Sequence, residues 1–431
     1  MSGILPAVHA RPASRDVRIV LGLTGLALAA RVAFVLSIER DSFGFSDPAF
    51  YHYAASALAA GDGYLDLGGE PSARWPPVFP LVLAPFYALF GSDALVGELV
   101  NAVLGAACVP LLFLLARRLF GRREGLVAAA ILALFPGQIF YADLLLAETL
   151  YAFWLLLLFL LLSAIPRDRL WPALGVGAAM GVMALTRSEG LFLVIPAIAV
   201  WWPQLERPAL LRRVALLAAG MALVVGSWTV RNAIQLDAFV PIAHNGGQTL
   251  WSGHNPGASG GPTYPSSDYL PQVDDPGSPQ AALEQDRFLR NEALEFMVEN
   301  PRRELELIPL KLIHLNRGDS ALIEPWLNDV AEGDEKPVTG NAYIVMSAVL
   351  DAGYYALLAL TVLAVVLFRR RLWAQPVLRG ILVLGIVALV MYGFVFFGNP
   401  RYRAPLEPLM ILLAAPLLAA LPELPGRRPT R

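Results

Sequence analysis

Residues 143–165 read Asp143-Leu144-Leu145-Leu146-Ala147-Glu148-Thr149-Leu150-Tyr151-Ala152-Phe153-Trp154-Leu155-Leu156-Leu157-Leu158-Phe159-Leu160-Leu161-Leu162-Ser163-Ala164-Ile165. From Leu150 to Leu162 the only polar atoms on side chains are the Tyr151 hydroxyl and the Trp154 indole N–H. A helix needs about 20 such residues to cross the hydrocarbon core of a bilayer. Similar runs recur, and ten candidate spans emerge near 17–38, 94–116, 125–141, 143–165, 171–186, 190–203, 212–230, 342–367, 377–398 and 404–422. The fifth and sixth are short and meet at Thr186-Arg187-Ser188-Glu189-Gly190. The predicted fold class is therefore an all-α polytopic membrane protein. Composition agrees: of 431 residues, 56% are hydrophobic and 16% charged, too few charges to coat a soluble surface of that size. The net charge of −2 points to no nucleic-acid partner. The single cysteine, Cys108, excludes an intramolecular disulfide and a thiolate zinc site.

Arginine placement predicts orientation. With the N-terminus cytoplasmic and ten crossings, the cytoplasmic segments hold Arg11, Arg15, Arg18, Arg117, Arg118, Arg122, Arg123, Arg167, Arg169, Arg207, Arg212, Arg213, Arg369, Arg370, Arg371, Arg379, Arg427, Arg428 and Arg431. These are 19 of the 33 basic residues, all in short segments, and such a bias sets topology. The first span follows Arg11, Arg15 and Arg18 and reads as an uncleaved signal anchor. Both termini are then expected in the cytoplasm. Two long outer segments remain, 39–93 and 231–341, and loops of that length usually carry function. The expected organisation is a module 1–230 with its first outer loop, an outer insert 231–341, and C-terminal helices 342–431.

The first outer loop contains Asp47-Pro48, a good helix start. Phe50, Tyr51 and Tyr53 suit a helix lying in the interface. Gly61-Asp62-Gly63-Tyr64 makes a turn, and the run from Pro77 to Gly91 reads as a second interfacial helix. Asp47 serves either as a cap or as a carboxylate held at the membrane surface for chemistry. Glu148 lies inside an apolar segment, where an ionisable residue is a functional candidate; Asp143 competes with it. In the insert, 257–278 is rich in Gly, Pro and Ser and reads as a loop or lid. Helices are expected over 280–299 and 302–315, separated by Asn300-Pro301.

The order Asp47, Gly61-Asp62-Gly63-Tyr64, Arg74-Trp75-Pro76-Pro77-Val78-Phe79-Pro80 and Phe90-Gly91 resembles the first outer loop of the GT-C glycosyltransferases. It is similar above all to the protein O-mannosyltransferase and lipid A aminoarabinose transferase families (glycosyltransferase families 39 and 83). The likeness continues at Glu148, at Gly226-Ser227-Trp228-Thr229-Val230-Arg231-Asn232, at Gly246-Gly247 with Trp251, and at Gly398-Asn399-Pro400-Arg401-Tyr402-Arg403-Ala404-Pro405. It covers roughly residues 15–260 and 390–420. The sequence departs from the family pattern in placing its arginine at Arg74 and Ser227 where relatives carry proline.

The resemblance implies an inverting glycosyltransferase of the plasma membrane and cell envelope, with a periplasmic active site. A sugar, hexosyl or pentosyl, would pass from a polyprenyl-phosphate carrier as co-substrate to a hydroxyl of a lipid, glycan or protein. Asp47 and Glu148 would be the catalytic carboxylates, Asp47 as general base. Arg74, Arg187, Arg231, Arg401, Tyr402, Arg403, Asp143 and Tyr51 would bind substrate, since guanidinium suits phosphate. No metal motif is present, and the five histidines at 9, 52, 244, 254 and 314 are scattered. No cofactor is expected. A divalent ion between Asp47 and Glu148, as in oligosaccharyltransferases of the same superfamily, is the alternative. The competing class is a transporter or flippase of lipid-linked sugars, which should show repeated halves and mid-span charges. No repeat is visible, and Arg31 is the main mid-span charge.

Overall fold

The computed structural model describes residues 12–38, 46–166, 169–273, 275, 277–324 and 338–420. Arg11, Arg167, Arg427, Arg428, Arg431 and the start of the first outer loop, 39–45, lie outside them. Among the described residues the elements are helices, with one isolated bridge between Leu65 and Pro71. The chain is an all-helical membrane protein. By length and apolarity six of the described helices can cross a bilayer, or seven if one bent pair counts as a span.

The N-terminal half holds α1 (Ser14–Ser37), α2 (Ser46–Ala60), α3 (Val78–Phe90), α4 (Ala94–Leu119), α5 (Arg122–Ala133), α6 (Pro136–Asp143), α7 (Glu148–Ala164), α8 (Pro172–Ala184), α9 (Val194–Trp201) and α10 (Arg207–Leu236). The insert holds α11 (Gly246–Gly253), α12 (Pro279–Glu299) and α13 (Pro301–Leu315). The C-terminal helices are α14 (Gly340–Ala374), α15 (Pro376–Val390), which runs on into a π turn Met391–Val395, then α16 (Pro400–Arg403) and α17 (Glu407–Ala420). α17 packs against α4, α5 and α7 as well as α14. Its inward residues Ile411, Leu412, Ala414 and Ala415 join one apolar core with Leu155, Phe159, Leu112 and Ala128.

Several boundaries differ from the sequence reading, each for a local reason. The span expected over 125–141 is bent by 45° between α5 and α6. Pro136 has no N–H to continue the ladder and instead starts a new helix at its first position. The run 143–165 begins its helix only at Glu148. Before it the carbonyls of Leu144 and Leu146 turn inward and accept from Asn101 Nδ2 at 2.8 and 3.3 Å. Glu148 thus sits at a helix N-terminus, where the dipole favours a carboxylate. The short fifth and sixth spans meet at a 3-10 turn, Ser188–Leu193. There Gly190 presses on the backbone of Met183 and Ala184, which no β-carbon would permit. α14, at 35 residues, is roughly 52 Å long, longer than a bilayer core.

The arginine-rich ends meet one another. Arg122 pairs with Asp16 at 2.6 Å, and Arg118 donates to Ser163 O at 2.6 Å. Arg213 donates to Pro166 O and Arg169 O, and Arg379 to Ala199 O. Since α7 runs from Glu148 to Ala164, Glu148 lies at the end remote from this basic face.

Arg31, the mid-span charge, is 0% exposed and acts as a cap. Its Nη1 donates to Ala27 O and Ala133 O, its Nη2 to Leu132 O. It thus satisfies the Ala133 carbonyl at the end of α5 and adds to the backbone donors on Leu132 O. Arg31→Met will strand the buried Ala133 carbonyl and cost about 1–3 kcal/mol. Thermal unfolding in detergent should show a lower midpoint; an unchanged one would mean that the carbonyl finds another donor.

Candidate active site

The ends of α2, α7 and α16 and the 3-10 turn after α8 bring acidic and basic groups together. Arg401 Nη1 donates to Asp47 Oδ2 at 2.5 Å, while its Nε donates to Glu148 Oε1. Arg187 Nη1 donates to the same Glu148 oxygen, and its Nη2 reaches Glu189 Oε1 at 2.9 Å. The result is a chain Asp47–Arg401–Glu148–Arg187–Glu189 assembled from four separate stretches of sequence. Glu148 is 1% exposed, and its Oε2 is buried without a hydrogen-bond partner among the described residues. The Asp47 side chain keeps 18% of its surface open. A substrate therefore reaches Asp47 more readily than Glu148.

Aromatic groups wall the cluster. Tyr402 stacks on Tyr392, with centroids 4.6 Å apart and planes 11° apart. Arg187 lies 5.6 Å from the Tyr402 ring centroid, and Tyr392 donates to Glu189 Oε1 at 2.8 Å. Tyr51 is buried one helical turn beyond Asp47, edge-on to Phe79. Below Tyr392 an apolar cleft of about 890 Å³ opens between α14, α15 and α17, lined by residues such as Leu358, Val365, Ile381, Leu389, Met410 and Leu413. Tyr392 and Leu406 border both this cleft and a small crevice formed with Arg187, Glu189 and Tyr402. Polar cluster and apolar cleft thus meet.

The other arginines expected at the site stand apart from this chain of ion pairs. Arg74 donates to Gln248 at 3.2 Å and lies over the Trp75 ring. It is close enough to Asp47 to feel its charge, although burial pulls its guanidinium below the usual arginine range. Arg231 donates to Ser72 O and Tyr64 O and packs on Trp228, bracing the first loop. Arg403 forms a second buried cluster. It pairs with Asp319 at 2.9 Å and Glu407 at 2.6 Å, and donates to the carbonyls of Leu315 and Arg317. Asp143 is buried at the end of α6. Sequence reasoning does not single out Glu189 and Tyr392. Glu189 offers a signal, a carboxylate two residues from Arg187 at a break between short spans; Tyr392, at the end of an apolar run, offers none.

Among the described residues no three His, Cys, Asp or Glu side chains converge as a metal ion requires. Within the cluster the Arg401 guanidinium itself bridges Asp47 and Glu148. Two carboxylates already joined by a fixed cation are a poor donor set for a divalent ion, which wants several free oxygens.

Comparison with known proteins agrees with this architecture. Residues 74–230 match the family model described as dolichyl-phosphate-mannose-protein mannosyltransferase. No curated protein matches the chain by sequence. Among solved structures it is similar to the Archaeoglobus fulgidus oligosaccharyltransferase in complex with zinc and sulfate, with TM-score 0.54, 15% identity, and coverage of 94% of this chain and 49% of that one. The archaeal oligosaccharyltransferase AglB from Archaeoglobus fulgidus, in complex with an inhibitory peptide and a dolichol-phosphate, gives TM-score 0.54, 14% identity, and coverage of 96% of this chain and 52% of that one. ArnT from Cupriavidus metallidurans bound to undecaprenyl phosphate gives TM-score 0.46, 15% identity, and coverage of 93% and 77%. The chain spans about half the length of the oligosaccharyltransferases it matches. The chain is thus an integral membrane protein whose helical fold is similar to that of the Archaeoglobus fulgidus oligosaccharyltransferase, and its residues 74–230 match the dolichyl-phosphate-mannose-protein mannosyltransferase family model.

Proposed function

We propose that the protein is an inverting glycosyltransferase. It moves a sugar, hexosyl or pentosyl, from a polyprenyl-phosphate carrier to a hydroxyl of a lipid, glycan or protein acceptor. It would sit in the plasma membrane with both termini cytoplasmic and the Asp47 cluster extracytoplasmic, remote from the arginine-rich face. The single observation that carries this reading is the chain Asp47–Arg401–Glu148–Arg187 beside an apolar cleft. Such a junction suits a molecule with a charged phosphate at one end and a hydrocarbon tail.

In this reading the carrier's tail lies in the cleft between α14, α15 and α17. Its phosphate reaches Arg187 and Arg401 at the rim, with Tyr402 beside them. The sugar then projects toward Asp47. Asp47 takes the proton of the acceptor hydroxyl as that oxygen attacks the anomeric carbon, and the carbon–phosphate oxygen bond breaks. The electron pair leaves with the phosphate, where the arginines stabilise the developing charge. Attack is direct, so the configuration inverts. Glu148, too buried to meet the acceptor, holds the two guanidiniums in register. Arg74, within electrostatic reach of Asp47, is assigned to the substrate together with Trp75.

The testing experiment gives purified protein a radiolabelled undecaprenyl-phosphate sugar and follows the label, while a deletion strain is profiled for accumulated carrier and a missing surface sugar. An accumulated donor plus one lost decoration is the expected result. A strain with unchanged carriers and glycans would sink the proposal. Because Arg401 bridges the carboxylates, transfer will persist in excess EDTA. Loss of activity on chelation, restored by Mg or Mn, would show that the carboxylates exchange the guanidinium for a metal.

A further inference from the structure

The insert contains a buried chain of ionisable groups that the proposed reaction does not use. Lys311 on α13 is 1% exposed and His254, just after α11, 0% exposed. Lys311 Nζ lies 3.1 Å from His254 Nε2, and His254 Nδ1 lies 2.7 Å from Glu304 Oε2. His254 Nε2 is also 3.0 Å from Val395 O. One ring nitrogen cannot both accept from Lys311 and donate to Val395 with a single proton. Either Lys311 holds the proton and Nε2 accepts, or the ring holds two protons and Nε2 donates to Val395 O. In both forms Nδ1–H donates to Glu304, and the charges of the chain sum to zero. Burial pushes the Lys311 ammonium down to about 8, and burial together with the Lys311 charge lowers the His254 imidazole as well, so the form with the proton on Lys311 and Nε2 accepting prevails.

The chain grips a particular stretch of backbone. Val395 ends the π turn that carries Tyr392. Next to it, a β-carbon on Gly253 would come 2.5 Å from Phe396 O. Gly398 donates its N–H to Gly260 O at 2.8 Å and lies directly on the carbonyl of Lys311, leaving no room for a side chain. Asn399 then caps α16 by accepting from Arg401 N at 3.0 Å. Arg403, at the end of that helix, is tied back to Leu315 O and Arg317 O. The backbone on both sides of Arg401 is therefore held by the insert.

We propose that the insert is the positioning element for Arg401, and that the hydrogen-bonded chain Lys311–His254–Glu304 is its lock. The lock holds His254 beside Val395 and the Lys311 backbone against Gly398, these set the start of α16, and α16 aims the guanidinium at Asp47 and Glu148. His254, Lys311 and Glu304 are positioning residues, since none of them touches the Asp47 cluster. The geometric claim stands alone; its consequence for turnover rests on the glycosyltransferase reading.

The test uses the full-length protein in detergent with four variants, Lys311→Met, Glu304→Ala, Glu304→Gln and Leu289→Ala. Hydrogen–deuterium exchange is followed at residues 396–403. Lys311→Met and Glu304→Ala should raise exchange there by about tenfold or more, as expected when a buried bond of ordinary strength is lost. Glu304→Gln, whose amide oxygen still accepts from Nδ1, should keep wild-type protection. Leu289→Ala removes a buried contact with Trp251 and Ala293 elsewhere in the insert; it should loosen α12 and leave 396–403 protected. In the transfer assay the first two variants should lose kcat by about tenfold with the donor KM little changed, while Leu289→Ala keeps its kcat. Wild-type protection of 396–403 in both Lys311→Met and Glu304→Ala would overturn the proposal. So would equal deprotection by Leu289→Ala. If Lys311→Met fails to fold, the Glu304 pair decides. If no polyprenyl donor is turned over by the wild type, the glycosyltransferase reading fails, and the exchange data still decide the lock.

Discussion

Replacing Asp47 by asparagine will lower sugar transfer by roughly 10²–10⁴-fold, the usual contribution of a general base. Asparagine has nearly the same shape, and its amide oxygen can still accept from Arg401 Nη1, which now donates to Asp47 Oδ2 at 2.5 Å. Expression and thermal stability should therefore change little, and binding of undecaprenyl phosphate should persist. What is lost is the ability to take a proton from the acceptor. The effect should fall on kcat at saturating donor. A variant that retained transfer within a few-fold of wild type would remove Asp47 from the chemistry and leave it as a partner of Arg401 alone.

The second large effect is expected at Arg401. Arg401→Met leaves Glu148, which is 1% exposed, with Arg187 as its remaining cation among the bonds described above. Breaking a buried pair by removing one partner typically costs about 3–5 kcal/mol, because the other charge stays buried. The variant should show a sharply lower thermal midpoint and no measurable transfer. Arg401→Lys is the informative companion. A lysine carries the charge but cannot span Asp47 and Glu148 with two separate N–H groups from a planar fork. It should recover part of the stability and little of the activity. Full recovery by lysine would show that charge alone, and not the bridging geometry, is what the site needs.

Much of the architecture is legible in the order of residues. Apolar runs place a helix at each predicted span, and proline and asparagine place the break at Asn300-Pro301 between α12 and α13. Periodicity fails at helix ends. The 45° bend at Leu134–Phe135 lies inside a run in which Gln138 is the one amide among apolar residues, so hydropathy does not register it. α11 is hidden because Gly246 and Gly247 read as a loop, although Asp286 accepts from the N–H groups of Gly247 and Gln248 and lets a helix start there. The count of crossings is likewise not fixed by length, since several apolar helices, such as α7 and α8, have fewer than 18 residues.

The site divides along the same line. Sequence alone determined that this chain lives in a membrane, that its basic residues collect in short connections, and which acidic and arginine residues stand out against an apolar background. Those are properties of composition and spacing, fixed by the cost of placing charge in hydrocarbon. Which arginine meets which carboxylate was decided only by tertiary structure. Arg401 and Arg403 are two residues apart in one motif, yet one bridges Asp47 and Glu148 while the other is enclosed by Asp319, Glu407 and backbone carbonyls. On a single turn of helix, residues two apart face different directions, and the partners on each side arrive from remote parts of the chain.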